Sequence, residues 1–171
     1  MRQDARANAA ISILDNFLVG QNLNSVLSRW AKNNRYAGSS DRESIRNIVF
    51  DVLRVKKTLT SVLENEKQPI NGRSLFFLYS VFYALNLNDI FTGQEYGPEK
   101  LTIFEKKFSK LSKKNFDGCF RIANNIPDFL IAEFKRSLGR KFKHVMRLLE
   151  KRAPISIRVN PLKSDISSLL D

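Results

Sequence analysis

The residues of this sequence that could do chemistry are mostly cations, and they gather in one segment. Residues 100–163 contain 17 lysines and arginines against 5 aspartates and glutamates, whereas the rest of the chain contains 12 of each sign. The formal net charge of +12 therefore arises within this segment. Such a positive field attracts phosphate groups, so nucleic acid is the first partner class that the charge indicates. A solubilising surface and attraction to an acidic membrane face are alternatives that charge alone leaves open.

The candidate binding residues lie near the end of the basic segment. In "ISIRVN", residues 155–160, apolar and polar residues alternate, which predicts a strand with one buried face. Arg158 and Asn160 fall on the opposite face, where they can contact RNA. The predicted RNA contacts are Arg158, Asn160, Lys163, Arg152, Lys151, Arg147, Lys143, Lys141 and Arg140. Cations in this set would mainly contact backbone phosphates, which fixes orientation but carries little sequence information.

Two residue types that often serve as nucleophile or base occur once each. Cys119 precedes Phe120 at an apolar helix start, which favours a buried packing role, and a lone cysteine fits a reducing compartment. The cytoplasm is therefore the expected location. His144 lies among lysines and arginines without a neighbouring acid, so we expect it at the surface beside RNA rather than as a general base. Because paired carboxylates, metal-ligand spacings and glycine-rich loops after strands are missing, we predict no catalytic, cofactor-binding or metal-binding residue in this chain.

Most of the chain has the residue spacing of amphipathic helices. The run over residues 74–87 is apolar on nearly every side, which predicts a helix in the middle of a bundle. No apolar run reaches the roughly 18 residues that a membrane span needs. Helices are also predicted over residues 7–18, 23–30, 41–54, 59–63, 98–111, 127–138, 142–149 and 164–170. The predicted fold class is thus all-α over residues 1–150, followed by the first strand and helix of an incomplete α+β subdomain over residues 151–171.

Local signals set the expected helix starts and inner faces. Pro98 is expected to begin one helix, Phe129 to face inward from another, and Ser164 to cap the last.

The helix over residues 41–54 carries both a start signal and a charged flank. Ser40 and Glu43 have the spacing of a capping box. Arg42, Arg46 and Arg54 alternate with acids beside the apolar stripe, which indicates a solvated, ion-paired flank.

Three stretches together resemble a known family. They are "DRESIRNIVFDVLR" over residues 41–54, "NIPDFL" over residues 125–130 and "RAPISIRVNPLK" over residues 152–163. Their order and spacing are similar to the N-terminal region of the Fmu/Sun family of ribosomal RNA 5-methylcytosine methyltransferases. The chain departs from the family pattern at "FDGCFRIAN", residues 116–124, where such proteins usually show a "GFVNAVLR"-like helix.

The resemblance implies an architecture and an activity. Residues 1–150 would form a NusB-like helical RNA-binding domain, and residues 151–171 would begin the adjoining RNA-recognition subdomain. Two cysteines in a Rossmann-like domain that binds S-adenosylmethionine would do the chemistry, so this chain alone is expected to be inactive and to bind no cofactor. The implied partner is small-subunit ribosomal RNA, with no membrane, no metal and a monomer or weak homodimer.

Two alternatives to this interpretation remain open. The chain could be a free-standing NusB-type RNA-binding or transcription antitermination factor. It could also be a protein-interaction module whose basic face docks an acidic partner.

Overall fold

The computed structural model describes residues 1–110, 125–154, 156–160, 162–163 and 165–170. The helices of these residues are α1 Gln3–Leu18, α2 Leu23–Asn33, α3 Ser39–Arg54, α4 Lys56–Asn65, α5 Gly72–Phe82, α6 Leu87–Ile90, α7 Ile103–Ser109, α8 Asp128–Leu138, α9 Phe142–Leu149 and α10 Ser167–Leu170. A 3-10 turn, Gly139–Lys141, joins α8 to α9. The all-α prediction is confirmed. Within the described ranges, no helix is both long and apolar enough to cross a membrane.

The centre of the bundle is α1, which packs against α2, α3, α5 and α6. Its inward positions Ala7, Ala10 and Leu14 are at most 1% exposed, and the two alanines let neighbouring helices approach closely. Most of the run predicted to form a central helix is α5, in which Leu75, Phe76, Phe77 and Leu78 are all buried. The helix ends at Phe82 rather than at residue 87, and Leu85 is 37% exposed. Burial on nearly every side of a helix needs packing partners all round, and α1, α3 and α4 contribute them.

The start of α5 is fixed against α1. The Asn71 side chain accepts a hydrogen bond from the Ser74 N–H, and the Ser74 hydroxyl accepts one from the Asn71 N–H, which is a capping box. The Gly72 N–H donates to Asp15 Oδ1 at 2.6 Å. A Cβ atom at Gly72 would lie 2.3 Å from the carbonyl oxygen of Ile11. Only glycine therefore lets the α5 backbone touch α1 at this point.

A partly buried ion pair attaches α7 to α5. Arg73 donates to Glu105 from Nε at 3.0 Å and from Nη2 at 2.9 Å, and the Thr102 N–H donates to Glu105 Oε2 at 2.7 Å. The Arg73 guanidinium also lies 5.0 Å from the centre of the Phe91 ring. Burial by itself raises the pKa of Glu105, but the hydrogen bonds from Arg73 and Thr102 outweigh it and lower that pKa below its usual value.

The start of α3 differs from the prediction. The helix begins at Ser39 after the N-cap residue Gly38, and no side chain caps it, so the predicted box of Ser40 and Glu43 is wrong. The physical reason is a competing acid. Asp41 lies at the third helical position and accepts a hydrogen bond from the N–H of the N-cap residue Gly38, so Asp41 takes the role that the prediction gave to Glu43.

Two predictions about α7 and α8 are also wrong. Helix α7 begins at Ile103 rather than Pro98, because Thr102 and Glu105 form a capping box there. Phe129 is 80% exposed rather than inward-facing. Helix α8 has no buried residue, because its main packing partners in the described part of the chain are only the short helix α9 and the 3-10 turn. The prediction for Cys119 lies outside the described residues.

The predicted strand is not formed by residues 156–160, which have no regular secondary structure. A strand needs a neighbouring strand for its backbone hydrogen bonds, and the described part of the chain supplies none. Ile157, predicted to be buried, is 77% exposed. Ile155 and Ser164 lie outside the described residues, and the Asp165 side chain accepts a hydrogen bond from the Ser168 N–H at the start of α10.

The contact between α1 and α5 predicts a sharp difference between two glycine substitutions. We expect Gly72→Ala to lower the free energy of unfolding by about 2–4 kcal/mol, because the added methyl group overlaps the Ile11 carbonyl and displaces the bond to Asp15. Gly38→Ala is the matched control, since its Cβ would meet only Asp41 Oδ2 at 3.9 Å. We expect a loss of about 1 kcal/mol at most there. Equal losses in urea unfolding would contradict this account.

The lowered pKa of Glu105 predicts a pH-dependent stability. We expect Glu105→Gln to cost about 1.5–3 kcal/mol near neutral pH, because it removes a charged acceptor from Arg73. Since the folded-state pKa lies below the usual 4.5, the carboxylate's contribution is complete above 4.5 and is lost as the pH falls through the folded-state pKa. Urea unfolding from about pH 7 to about pH 3 should show the gap between parent and variant narrowing. The exposed Glu99→Gln serves as control, and a gap that stays constant in acid would refute the prediction.

Candidate nucleic-acid interface

Helix α9 has an apolar face and a basic face. Phe142 and Met146, four residues apart, are buried, which directs one side of the helix toward the protein. Lys143 and Arg147 have the same spacing on the other side and are exposed, and Lys151 continues that row one turn later. Arg140 and Lys141 are exposed in the preceding 3-10 turn. Five of the nine predicted contacts therefore lie on the outer surface of this helical hairpin.

The hairpin of α8 and α9 is tied to the bundle through Asn125. Asn125 Oδ1 accepts hydrogen bonds from the Thr58 N–H at 3.0 Å and the Thr58 hydroxyl at 3.1 Å. Its Nδ2 donates to Glu150 Oε1 at 2.8 Å. Lys57 Nζ adds an ion pair with Asp128 at 2.5 Å. One side chain thus connects the start of α4 with the end of α9.

A groove of about 570 Å³ lies between the first turns of α3 and the segment that follows α9. We call it the arginine groove, because Arg42, Arg46 and Arg152 line it. Ser39 and the single acid Glu43 contribute from the same end of α3. Arg42 and Arg46 are one helical turn apart, so both side chains reach the same side of α3.

Two acids of α3, Asp41 and Asp51, are engaged away from the arginine groove, whereas Glu43 lines it. Asp41 accepts the Met1 ammonium at 2.9 Å, and this bond is the main reason why the pKa of Asp41 lies below its usual value. Asp51 pairs with Arg54. The predicted ion-paired flank is thus confirmed for Arg54 and wrong for the two α3 arginines of the groove, which form no ion pair with a described residue. The four-residue spacing was a usable signal, but the interspersed acids obscured it.

Of the nine predicted contacts, Arg152 is the one that lines the arginine groove. Arg158 and Lys163 are exposed in the non-helical segment beyond it. Asn160 Oδ1 accepts a hydrogen bond from the Leu162 N–H at 3.0 Å, so this oxygen stabilises a turn. None of the eight predicted cations forms an ion pair with another described residue. They are therefore electrostatically available to a polyanion.

The role of Asn125 can be tested by amide hydrogen exchange. We expect Asn125→Ala to speed exchange in α8 and α9 by about tenfold or more while leaving α1 and α5 unchanged, because loss of the tie leaves the Thr58 and Glu150 groups without this partner. Asn24→Ala, on the exposed side of α2, is the control. Unchanged protection of α9 would show that apolar contacts alone hold the hairpin.

Comparison with known proteins adds no relative. No family model matches the chain, and neither a curated protein nor a solved structure is found to be similar to it. The described helices and their exposed arginines are therefore the observations on which a functional proposal rests.

Proposed function

We propose that this protein is an RNA-binding domain that positions small-subunit ribosomal RNA for methylation of a cytosine at carbon 5. The arginine groove is the observation that carries the RNA-binding part. Arg42 and Arg46 from α3 line the same groove as Arg152 from the other end of the described chain, and the three outnumber the one acid there, Glu43, with which none forms an ion pair. Three convergent, unpaired guanidinium groups form a site for phosphate groups.

Two features support RNA over other polyanions: the cations of the groove are arginines, and the row of cations continues from the groove onto the hairpin of α8 and α9. Arginine stays charged at all relevant pH values and presents a planar fork of donors that matches phosphate oxygens. Arg152 follows Lys151, the last cation of the basic row on α9, so the groove and the hairpin surface adjoin along the chain. A row of cations that spans a groove and a helix suits the backbone of a folded RNA better than a single small anion.

The narrower part of the proposal rests on the family resemblance. All three resembling stretches coincide with structural parts of the interface: residues 41–54 carry Arg42 and Arg46, residues 125–130 carry the tie at Asn125, and residues 152–163 begin with Arg152. In this proposal the methyl transfer and the S-adenosylmethionine belong to a separate catalytic domain. The described residues do not fit that cofactor, because they include no strand followed by a glycine-rich loop.

A free-standing RNA-binding factor is the second candidate. A self-contained helical factor needs no strand after residue 150, and residues 156–160 do not form the strand that was predicted there. The two candidates differ in the RNA that they prefer. A methyltransferase domain should select fragments of small-subunit ribosomal RNA over unrelated transcripts in competition binding, whereas an antitermination factor should select a transcript leader.

The arginine groove predicts a specific salt dependence of RNA binding. We expect the triple variant Arg42→Ser, Arg46→Ser and Arg152→Ser to bind small-subunit ribosomal RNA fragments more weakly than the parent. The slope of log affinity against log salt concentration should fall by about 2–3, since each lost phosphate contact removes somewhat less than one. Filter binding or fluorescence anisotropy over a salt series measures both quantities.

A variant of equal charge separates the groove from the overall charge. Lys106→Ser, Lys107→Ser and Lys110→Ser remove the same number of positive charges from exposed positions of α7 and its end. We expect this variant to lose much less affinity. Equal losses in both triple variants would mean that overall charge, not the groove, binds RNA. Failure of the parent to bind any RNA above background would refute the proposed function itself.

A further inference from the structure

A second groove, of about 540 Å³, lies beside α1 and α2. We call it the aromatic groove, because Trp30, Tyr36 and Tyr96 line it. Asn8 and Ser12, on the exposed side of α1, supply polar groups along its floor. Tyr36 is 71% exposed and Tyr96 is 70% exposed. Two rings that leave most of their surface in water are available to stack on a ligand.

The Tyr96 ring is presented by a loop that is fixed to the start of α1. The buried carboxylate of Asp4 accepts a hydrogen bond from the Thr92 hydroxyl at 2.8 Å. Arg2 Nη2 donates to the Glu95 carbonyl at 2.7 Å. Tyr96 itself has φ +69°, a left-handed conformation that costs energy for a bulky residue. The loop therefore holds this ring in place although little covers it.

The Tyr36 ring is fixed to the end of α2. Its hydroxyl donates to Asn34 Oδ1 at 2.9 Å, and Asn34 Nδ2 donates to the Trp30 carbonyl at 2.8 Å. Trp30 packs against the apolar core. Packing therefore holds Trp30, a hydrogen bond holds Tyr36, and the fixed loop holds Tyr96. A ligand would find the rings already positioned, which lowers the entropy cost of binding.

The two grooves are neighbours. Tyr36 lines the aromatic groove, whereas Ala37, the next residue in the turn after α2, and Ser39, the first residue of α3, line the arginine groove. A strand that crosses this turn would place phosphates among arginines on one side and bases among aromatic rings on the other. Exposed Arg35 adds positive charge at the turn, whereas Arg2, which lines the aromatic groove, is ion-paired with Asp4, and the acid Glu95 precedes Tyr96 in the loop.

We infer that the aromatic groove stacks unpaired bases of a single-stranded RNA segment whose phosphates lie in the arginine groove. This inference rests on the proposed function and adds a preference for unpaired over paired RNA. Positive grooves next to aromatic platforms are the general means of binding single strands, because every base offers a π-face. An aromatic groove can also bind a proline-rich peptide, but the adjoining arginines favour the polyanion.

The experiment uses Trp30, the one tryptophan of the chain, as a fluorescent probe located in the groove. The protein is titrated with a short oligoadenylate and with an abasic ribose-phosphate oligomer of the same length. We expect the oligoadenylate to quench the tryptophan emission and to bind about tenfold more tightly or better, because each stacked base contributes on that scale. The abasic oligomer should bind weakly through its phosphates and leave the emission unchanged.

Variants assign the difference to the rings. Tyr36→Ala with Tyr96→Gly should abolish the preference for base-bearing RNA, and glycine tolerates the positive φ at position 96. Tyr36→Phe with Tyr96→Phe keeps both rings and should retain the preference. Phe129→Ala removes an equally exposed ring from α8 and should also retain it. Circular dichroism confirms that each variant is folded.

The possible failures are distinguishable. Equal affinity for the two oligomers, with ribosomal RNA still bound in a salt-dependent manner, would overturn this inference and leave the proposed function standing. Binding of neither oligomer and no ribosomal RNA would overturn both. A change in tryptophan emission with a proline-rich peptide, and none with oligoadenylate, would identify the aromatic groove as a peptide site and overturn the inference.

Discussion

The close approach of α5 to α1 is the constraint on which the rest of the structure depends. With a glycine at position 72 the two backbones touch, and α1 becomes the common wall of the bundle. That position of α1 also directs its first turn, where Asp4 fixes the loop of Tyr96 and the Met1 ammonium occupies Asp41. The positions of residues in both grooves therefore depend on one backbone contact, although neither groove includes that contact.

Two kinds of interaction hold the two parts of the molecule. The bundle around α1 is held by large apolar side chains that are almost completely buried, such as Phe76 and Phe77. The hairpin of α8 and α9 is held by polar contacts at Asn125 and Lys57, together with a small apolar contribution from Met146. Apolar burial sums over many contacts, whereas polar contacts exchange readily with water. Local stability should consequently be highest in the bundle.

Periodicity predicted the helices well because burial of one face is a local pattern, and α9 follows it closely. It failed where a partner lies far away in the sequence. The acids that alternate with the arginines of α3 were expected to pair within that helix, but one of them, Asp41, binds Met1, 40 residues earlier. The segment containing Ile157 has the alternation of a strand, but alternation cannot supply the neighbour that a strand requires. The aromatic groove combines Trp30 and Tyr36 with Tyr96. Tyr96 lies 60 residues after Tyr36, so no local sequence pattern predicts that these rings share a groove.

Several carboxylates bind partners within the fold, and this has a thermodynamic consequence for the exposed arginines. Asp4, Asp41 and Glu105 accept hydrogen bonds from Thr92, Met1 and Arg73, and none of them forms an ion pair with an arginine of the arginine groove. In the free protein, mobile anions from solution must accumulate around those cations instead. A nucleic acid that takes their place returns these ions, and the ions condensed on its own phosphates, to bulk solvent. If the proposed function is correct, association of RNA with this surface is driven largely by the entropy of released ions.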